Sequence, residues 1–150
     1  MRVCGRRSGP GAAEAFRFSL DMFAIDTNVL IRYLVNDDAA QGARARALID
    51  RENVWVSKTV VLESAWVLEA VYHFSRKDVI AALEAFFGLA TVQVEDEAVV
   101  ARALVCARAG MDVADALHVA GTPAEAEAFL TFDRALMRSR PKNPRVQLVP

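Results

Sequence analysis

Short apolar runs alternate with longer segments of helical period along this chain, and that alternation constrains the fold more than any other feature. Phe23 to Ile25, Val54 to Val56 and Phe129 to Thr131 are too short to be helices, and each is followed by a stretch whose apolar residues recur three and four apart. The spacing predicts helices over about Asn28–Val35, Ala39–Asp50, Ser57–Tyr72, Ser75–Phe87, Glu97–Ala109 and Ala114–Ala120. Strand-like stretches are expected at Thr91–Val94 and Val146–Val149 as well. Ser57 or Thr59 can cap the third helix, Gly88 and Gly110 stop the fourth and fifth, and Gly121-Thr122-Pro123 breaks the sixth. Strands that alternate with helices cannot pair as hairpins, so the expected fold is α/β, with a parallel sheet covered on both faces.

A chain of 150 residues that is 54% apolar and 25% charged suits one domain with a sizeable core. Residues 1–21 differ: Arg2, Gly5, Arg6, Arg7, Gly9, Pro10 and Gly11 show no helical or strand period, which predicts a disordered basic extension. Met22 directly precedes the first strand. The domain is therefore expected over residues 22–150, with Met22 as the functional start and the extension dispensable, so that deleting residues 1–21 leaves folding and activity intact. No unbroken apolar segment follows the early arginines as a signal peptide requires, and no run approaches the roughly 18 apolar residues of a membrane span. Cys4 and Cys106 form no metal-binding or disulfide pattern, and reduced thiols in a cytoplasm are the simplest reading. A net charge of −1 advertises no general attraction for nucleic acid, although a local patch or a metal can supply one.

Four acids stand where a charge is out of place. Asp26 ends the first strand and opens a helix within Phe23-Ala24-Ile25-Asp26-Thr27-Asn28, where an α/β fold puts its active site. A helix cap explains Asp26 equally well on its own, but the short polar side chains of Thr27 and Asn28 can orient a carboxylate or a water held by a metal. Glu63 lies in Thr59-Val60-Val61-Leu62-Glu63-Ser64-Ala65-Trp66-Val67-Leu68, a helix apolar nearly all round and expected to be buried, where an unpaired carboxylate is costly. Asp115 sits in the first turn of an apolar helix, framed by Val113, Leu117 and Val119. Asp112, one turn earlier, reads as the cap of that helix. Asp133 ends the strand Leu130-Thr131-Phe132-Asp133, with Thr131 on the same strand face. His118, one turn from Asp115, can face the same site, but a packing role suits an imidazole better than ligation of a hard cation.

Two carboxylates about 4 Å apart repel by roughly 1 to 4 kcal/mol, depending on the effective dielectric. If the four acids converge, they require protons or a divalent cation, and oxygen ligands suit Mg²⁺ or Mn²⁺. Such a site fits hydrolysis of a phosphodiester. Arg32, Arg44, Arg46, Arg76, Lys77, Arg134 and Arg138 are candidates to hold phosphates, although charged helical residues are most often simply solvated.

The segments Met22-Phe-Ala-Ile-Asp-Thr-Asn-Val-Leu-Ile-Arg-Tyr-Leu, Val61-Leu-Glu-Ser-Ala-Trp-Val-Leu, Asp112-Val-Ala-Asp-Ala-Leu-His and Leu130-Thr-Phe-Asp resemble, in that order, the motifs of PIN-domain ribonucleases, closely those of VapC-type toxins. The resemblance implies a three-layer α/β/α sandwich around a mainly parallel sheet and Mg²⁺- or Mn²⁺-dependent cleavage of RNA, commonly transfer RNA. It makes Asp26, Glu63, Asp115 and Asp133 the catalytic and metal-binding quartet, supported by Thr27, Asn28 and Thr131. It also implies a homodimer, inhibited by an antitoxin that docks over the acidic site. The basic extension and the Gly121-Thr122-Pro123 break depart from the usual pattern.

Two other readings compete. Phosphatases of the haloacid-dehalogenase type also begin with a strand-end aspartate and bind Mg²⁺, but they want a second aspartate where Asn28 stands. A catalytically silent binding module would keep the fold and use only its surface.

Overall fold

The structure is a computed structural model that describes residues 21–139 and 144–150. The expected extension, apart from Asp21, lies outside the described residues, as does Cys4. Strand β1 (Met22–Ala24) leads into helix α1 (Thr27–Val35), which ends at Asn36 in the left-handed conformation. Helix α2 (Ala39–Arg51) packs on α1, with Asp38 as its cap. Gly42 sits close against the end of α1: a Cβ there would collide with the Asn36 side chain and crowd the Arg32 carbonyl.

Strand β2 (Asn53–Val56), helix α3 (Lys58–Ala70), helix α4 (Arg76–Phe87) and strand β3 (Val92–Val94) follow. Ser57 caps α3 and Ser75 caps α4, each through its hydroxyl. Gly88 closes α4 with right-handed angles rather than the left-handed turn a terminal glycine often provides. Helix α5 (Glu97–Arg108) does end on such a glycine, Gly110, at φ +109°. Helix α6 (Val113–Ala120) stops at Gly121, and strand β4 (Phe129–Thr131), helix α7 (Arg134–Ser139) and strand β5 (Val146–Leu148) complete the chain.

Every strand pair is parallel, as alternation with helices requires, and the seven helices among the described residues make this the expected α/β/α architecture. Leu30, Val54, Val56, Val61, Leu68, Leu83, Phe86 and Val100 form a shared core between sheet and helices. The sheet is not continuous, however. Strands order as β1-β2-β3 in one piece, while β4 and β5 pair separately. Strands of three residues make few ladder bonds. Two aromatic side chains near these strands stay uncovered, Phe23 on β1 at 47% exposure and Phe132 just past β4 at 83%.

Candidate active site

Asp26 and Asp133 each stand two residues beyond the end of a strand, β1 and β4, and each begins a helix. Asp26 caps α1 by accepting a hydrogen bond from the Val29 amide at 2.9 Å. Asp133 does the same for α7 through the Ala135 amide at 2.6 Å, and its own amide donates to the Thr131 hydroxyl at 3.0 Å. Both residues therefore cap a helix, as the capping reading of Asp26 expected, yet one carboxylate oxygen satisfies the helix amide and leaves the other available. Both side chains are exposed at the crevice rim. Because β1 and β4 belong to separate sheets, no ladder holds the two aspartates in register.

Thr27, buried at the start of α1, donates its hydroxyl to Glu63 Oε2 at 2.6 Å. This bond joins α1 to α3 across 36 positions of sequence. Asp26, Thr27, Asn28, Val60, Glu63 and Tyr72 line one open cavity of about 340 Å³. Glu63 itself is exposed, which corrects the expectation that it is buried. Helix α3 hides only the Val61, Ser64, Ala65 and Leu68 line, and Trp66, on the side of Glu63, is 63% exposed. An apolar residue count does not reveal which side of a helix meets solvent.

On the other flank Asp112 caps α6, accepting from the Ala114 amide at 2.9 Å, and Asp115 follows in the first turn, half-buried. Burial raises the proton affinity of Asp115 above that of an ordinary aspartate, and the nearby carboxylates of Asp112 and Asp133 raise it further. His118 acts on Asp115 in the opposite direction, so it lies near the acid. It is exposed, not packed in the core as its apolar helix suggests.

The structure thus assembles the acids as two groups: Asp26 with Glu63, and Asp115 with Asp112 and Asp133 in electrostatic reach. Among the described residues, no three His, Cys, Asp or Glu side chains lie close enough together to hold a metal ion. The donor chemistry still suits a hard divalent cation, since all four candidate ligands are carboxylates and none has a Lys or Arg partner among the described residues.

A network invisible in the sequence braces this crevice. Arg32 donates from Nη1 to both Asp37 oxygens at 2.6 Å and from Nε to Gln41 Oε1 at 3.1 Å, while the Tyr72 hydroxyl donates to Asp37 Oδ2 at 2.6 Å. The Tyr72 and Arg32 donors hold the Asp37 carboxyl below the usual carboxylate range, and Asp37 in turn raises the pKa values of Arg32 and Tyr72. Arg32 is consequently committed to protein contacts rather than free for a phosphate, and Arg46 is similarly bound to Asn36 at 2.8 Å. Tyr72 lies 35 residues from Asp37, so only tertiary packing could disclose the pairing.

The sequence pattern of the PIN domain matches residues 23–140 of this chain. A comparison with curated proteins finds no match.

Proposed function

The chain belongs to the PIN domain family, and from that premise we propose that it is a divalent-metal-dependent endoribonuclease and the toxin of a toxin–antitoxin pair. PIN domains are typically nucleases that use divalent metals such as Mg²⁺. The observation that carries the proposal is the Thr27 hydrogen bond to Glu63, which brings the strand-end acid Asp26 and a helical acid into one cavity. We assign Asp26, Glu63, Asp115 and Asp133 as the catalytic acids and ligands of Mg²⁺ or Mn²⁺, with Thr27, Asn28, Thr131 and Asp112 in support, all within a nuclease unit of residues 22–150.

Each supporting residue has a physical task. Thr27 fixes the direction of Glu63 Oε2, Thr131 ties down the backbone of Asp133, and Asp112 anchors the first turn that presents Asp115. Asn28, beside Asp26 in the cavity, offers an amide to a substrate oxygen or a water. Asp26, Glu63, Asp115 and Asp133 would hold the cation, which would supply activation of a water and neutralisation of charge on the phosphodiester. The substrate is RNA, with transfer RNA the first to assay, and the partners are a second copy of the chain and an antitoxin covering the acids in the cytoplasm.

The test is Mg²⁺- or Mn²⁺-dependent cleavage of RNA by the parent, Asp26→Asn and Asp115→Asn. Only the parent should cleave, and each substitution should cost more than the 10- to 100-fold typical of residues that merely orient a ligand. Equal activity in all three would end the quartet mechanism. The separation of the acids into two groups favours one other reading, a catalytically silent binding module, and absence of heat on titrating the parent with Mn²⁺ would support it.

A further inference from the structure

A second cavity, of about 450 Å³, opens between α4 and α5 and is ringed by three cations, Arg76, Lys77 and Arg108, over an apolar floor that includes Ile80 and Ala107. Its volume falls in the roughly 300–1,000 Å³ range of ligand pockets. Arg76 reaches from its rim to Asp112, 3.6 Å away, and Asp112 caps the helix that carries Asp115. Arg76 therefore links the rim of the cavity to the start of the helix that carries Asp115.

The three cations are not equivalent. Arg76 is balanced by Glu69 at 3.3 Å as well as by Asp112, and Arg108 by Glu84. Lys77 has no such partner among the described residues, and it is exposed. It also occupies the first turn of α4, where the helix dipole disfavours a cation. Lys77 thus works against the stability of its own helix without compensation from the fold.

We propose that this cavity is a substrate subsite that receives a nucleotide of the RNA strand, with Lys77 on its phosphate, Arg108 adding to the local positive potential while paired with Glu84, and the apolar floor under its base. The proposal rests on the nuclease reading above. An acidic crevice repels the polyanion it must process, and a cationic pocket supplies the attraction that a net charge of −1 does not. A combination of cations with an apolar floor matches a nucleotide, which presents both a phosphate and a flat apolar face.

Binding of a fluorescent single-stranded oligoribonucleotide to the full chain, followed by anisotropy in EDTA, tests this without any cleavage. Lys77→Glu suits the α4 dipole and so leaves the helix intact, as a thermal melt would verify. It should weaken binding about tenfold and flatten the plot of log Kd against log salt by about 0.7 for the lost phosphate contact. Arg108→Glu should act in the same direction, while Arg51→Glu, at the far end of α2, should change affinity less than about twofold. Parent affinity and salt slope in both pocket variants would overturn the proposal. So would unchanged RNA affinity together with lost binding of an acidic peptide, which would assign the cavity to a protein partner. RNA binding that depends on Lys77 in a parent that cleaves no RNA with Mn²⁺ would leave the subsite standing and refute the nuclease reading instead.

Discussion

The Thr27 to Glu63 hydrogen bond can be measured directly by a double-mutant cycle of Thr27→Val and Glu63→Ala. Valine keeps the volume of the buried threonine and removes only the hydroxyl, so packing at the start of α1 should persist. A hydrogen bond to a charged group contributes about 1.5 to 3 kcal/mol, but Glu63 is exposed and water can replace the lost donor. We therefore expect Thr27→Val to cost about 1 kcal/mol. Glu63→Ala should cost about the same, less a few tenths regained because alanine favours a helix more than glutamate does. With the bond absent from either single variant, the double variant should cost little more than one of them, leaving a coupling of about 1 kcal/mol. Urea unfolding reads this as a midpoint shift of about 0.3 to 1 M per single variant at an unchanged slope. Stabilities that add to within about 0.3 to 0.5 kcal/mol would refute the bond, because additivity of that quality marks residues that do not interact. Thr27→Ser, which keeps the hydroxyl, should retain metal-dependent cleavage better than Thr27→Val.

Ser64 is fully buried and its hydroxyl has no partner among the described residues, so Ser64→Ala should raise stability by about 1 kcal/mol in urea unfolding, and a loss of about 1 kcal/mol would point to a hidden acceptor. Asp37 has its pKa lowered in the folded protein, so its contribution is present above the ordinary value of 3.8 and is lost as pH falls through the lowered one. Urea midpoints should therefore drop less steeply below that pH in Asp37→Asn than in the parent, and parallel curves would show that Arg32 and Tyr72 do not hold the carboxylate in solution.

Local pattern made most elements legible. The hydroxyl caps at Ser57 and Ser75, the stop at Gly110 and the break at Gly121 depend on neighbours within a turn, and the helices lie within a few residues of their expected bounds. The identity of Asp112 as a cap was readable for the same reason. Glu63 and His118 were misplaced because an apolar helix can turn a minority side outward, and the facing partner that decides this is remote in sequence. The continuity of the sheet was equally out of reach: Phe129 to Thr131 announces a strand but not which edge it joins.

By itself, then, the sequence determined an α/β chain of alternating elements, the positions of two strand-end aspartates, one aspartate in the first turn of a helix and one glutamate inside a helix, and the motifs that place it among PIN domains. Those properties rest on interactions between residues a few positions apart. Only the tertiary structure decided that Thr27 is tied to Glu63, that Asp115 is pressed by Asp112 and Asp133, that Arg32 is held by Asp37 and Tyr72, and that Lys77 lines a second cavity with no ion-pair partner among the described residues. Each depends on side chains brought together by packing, whose free energy is shared across the whole core and leaves no mark on any single stretch of chain.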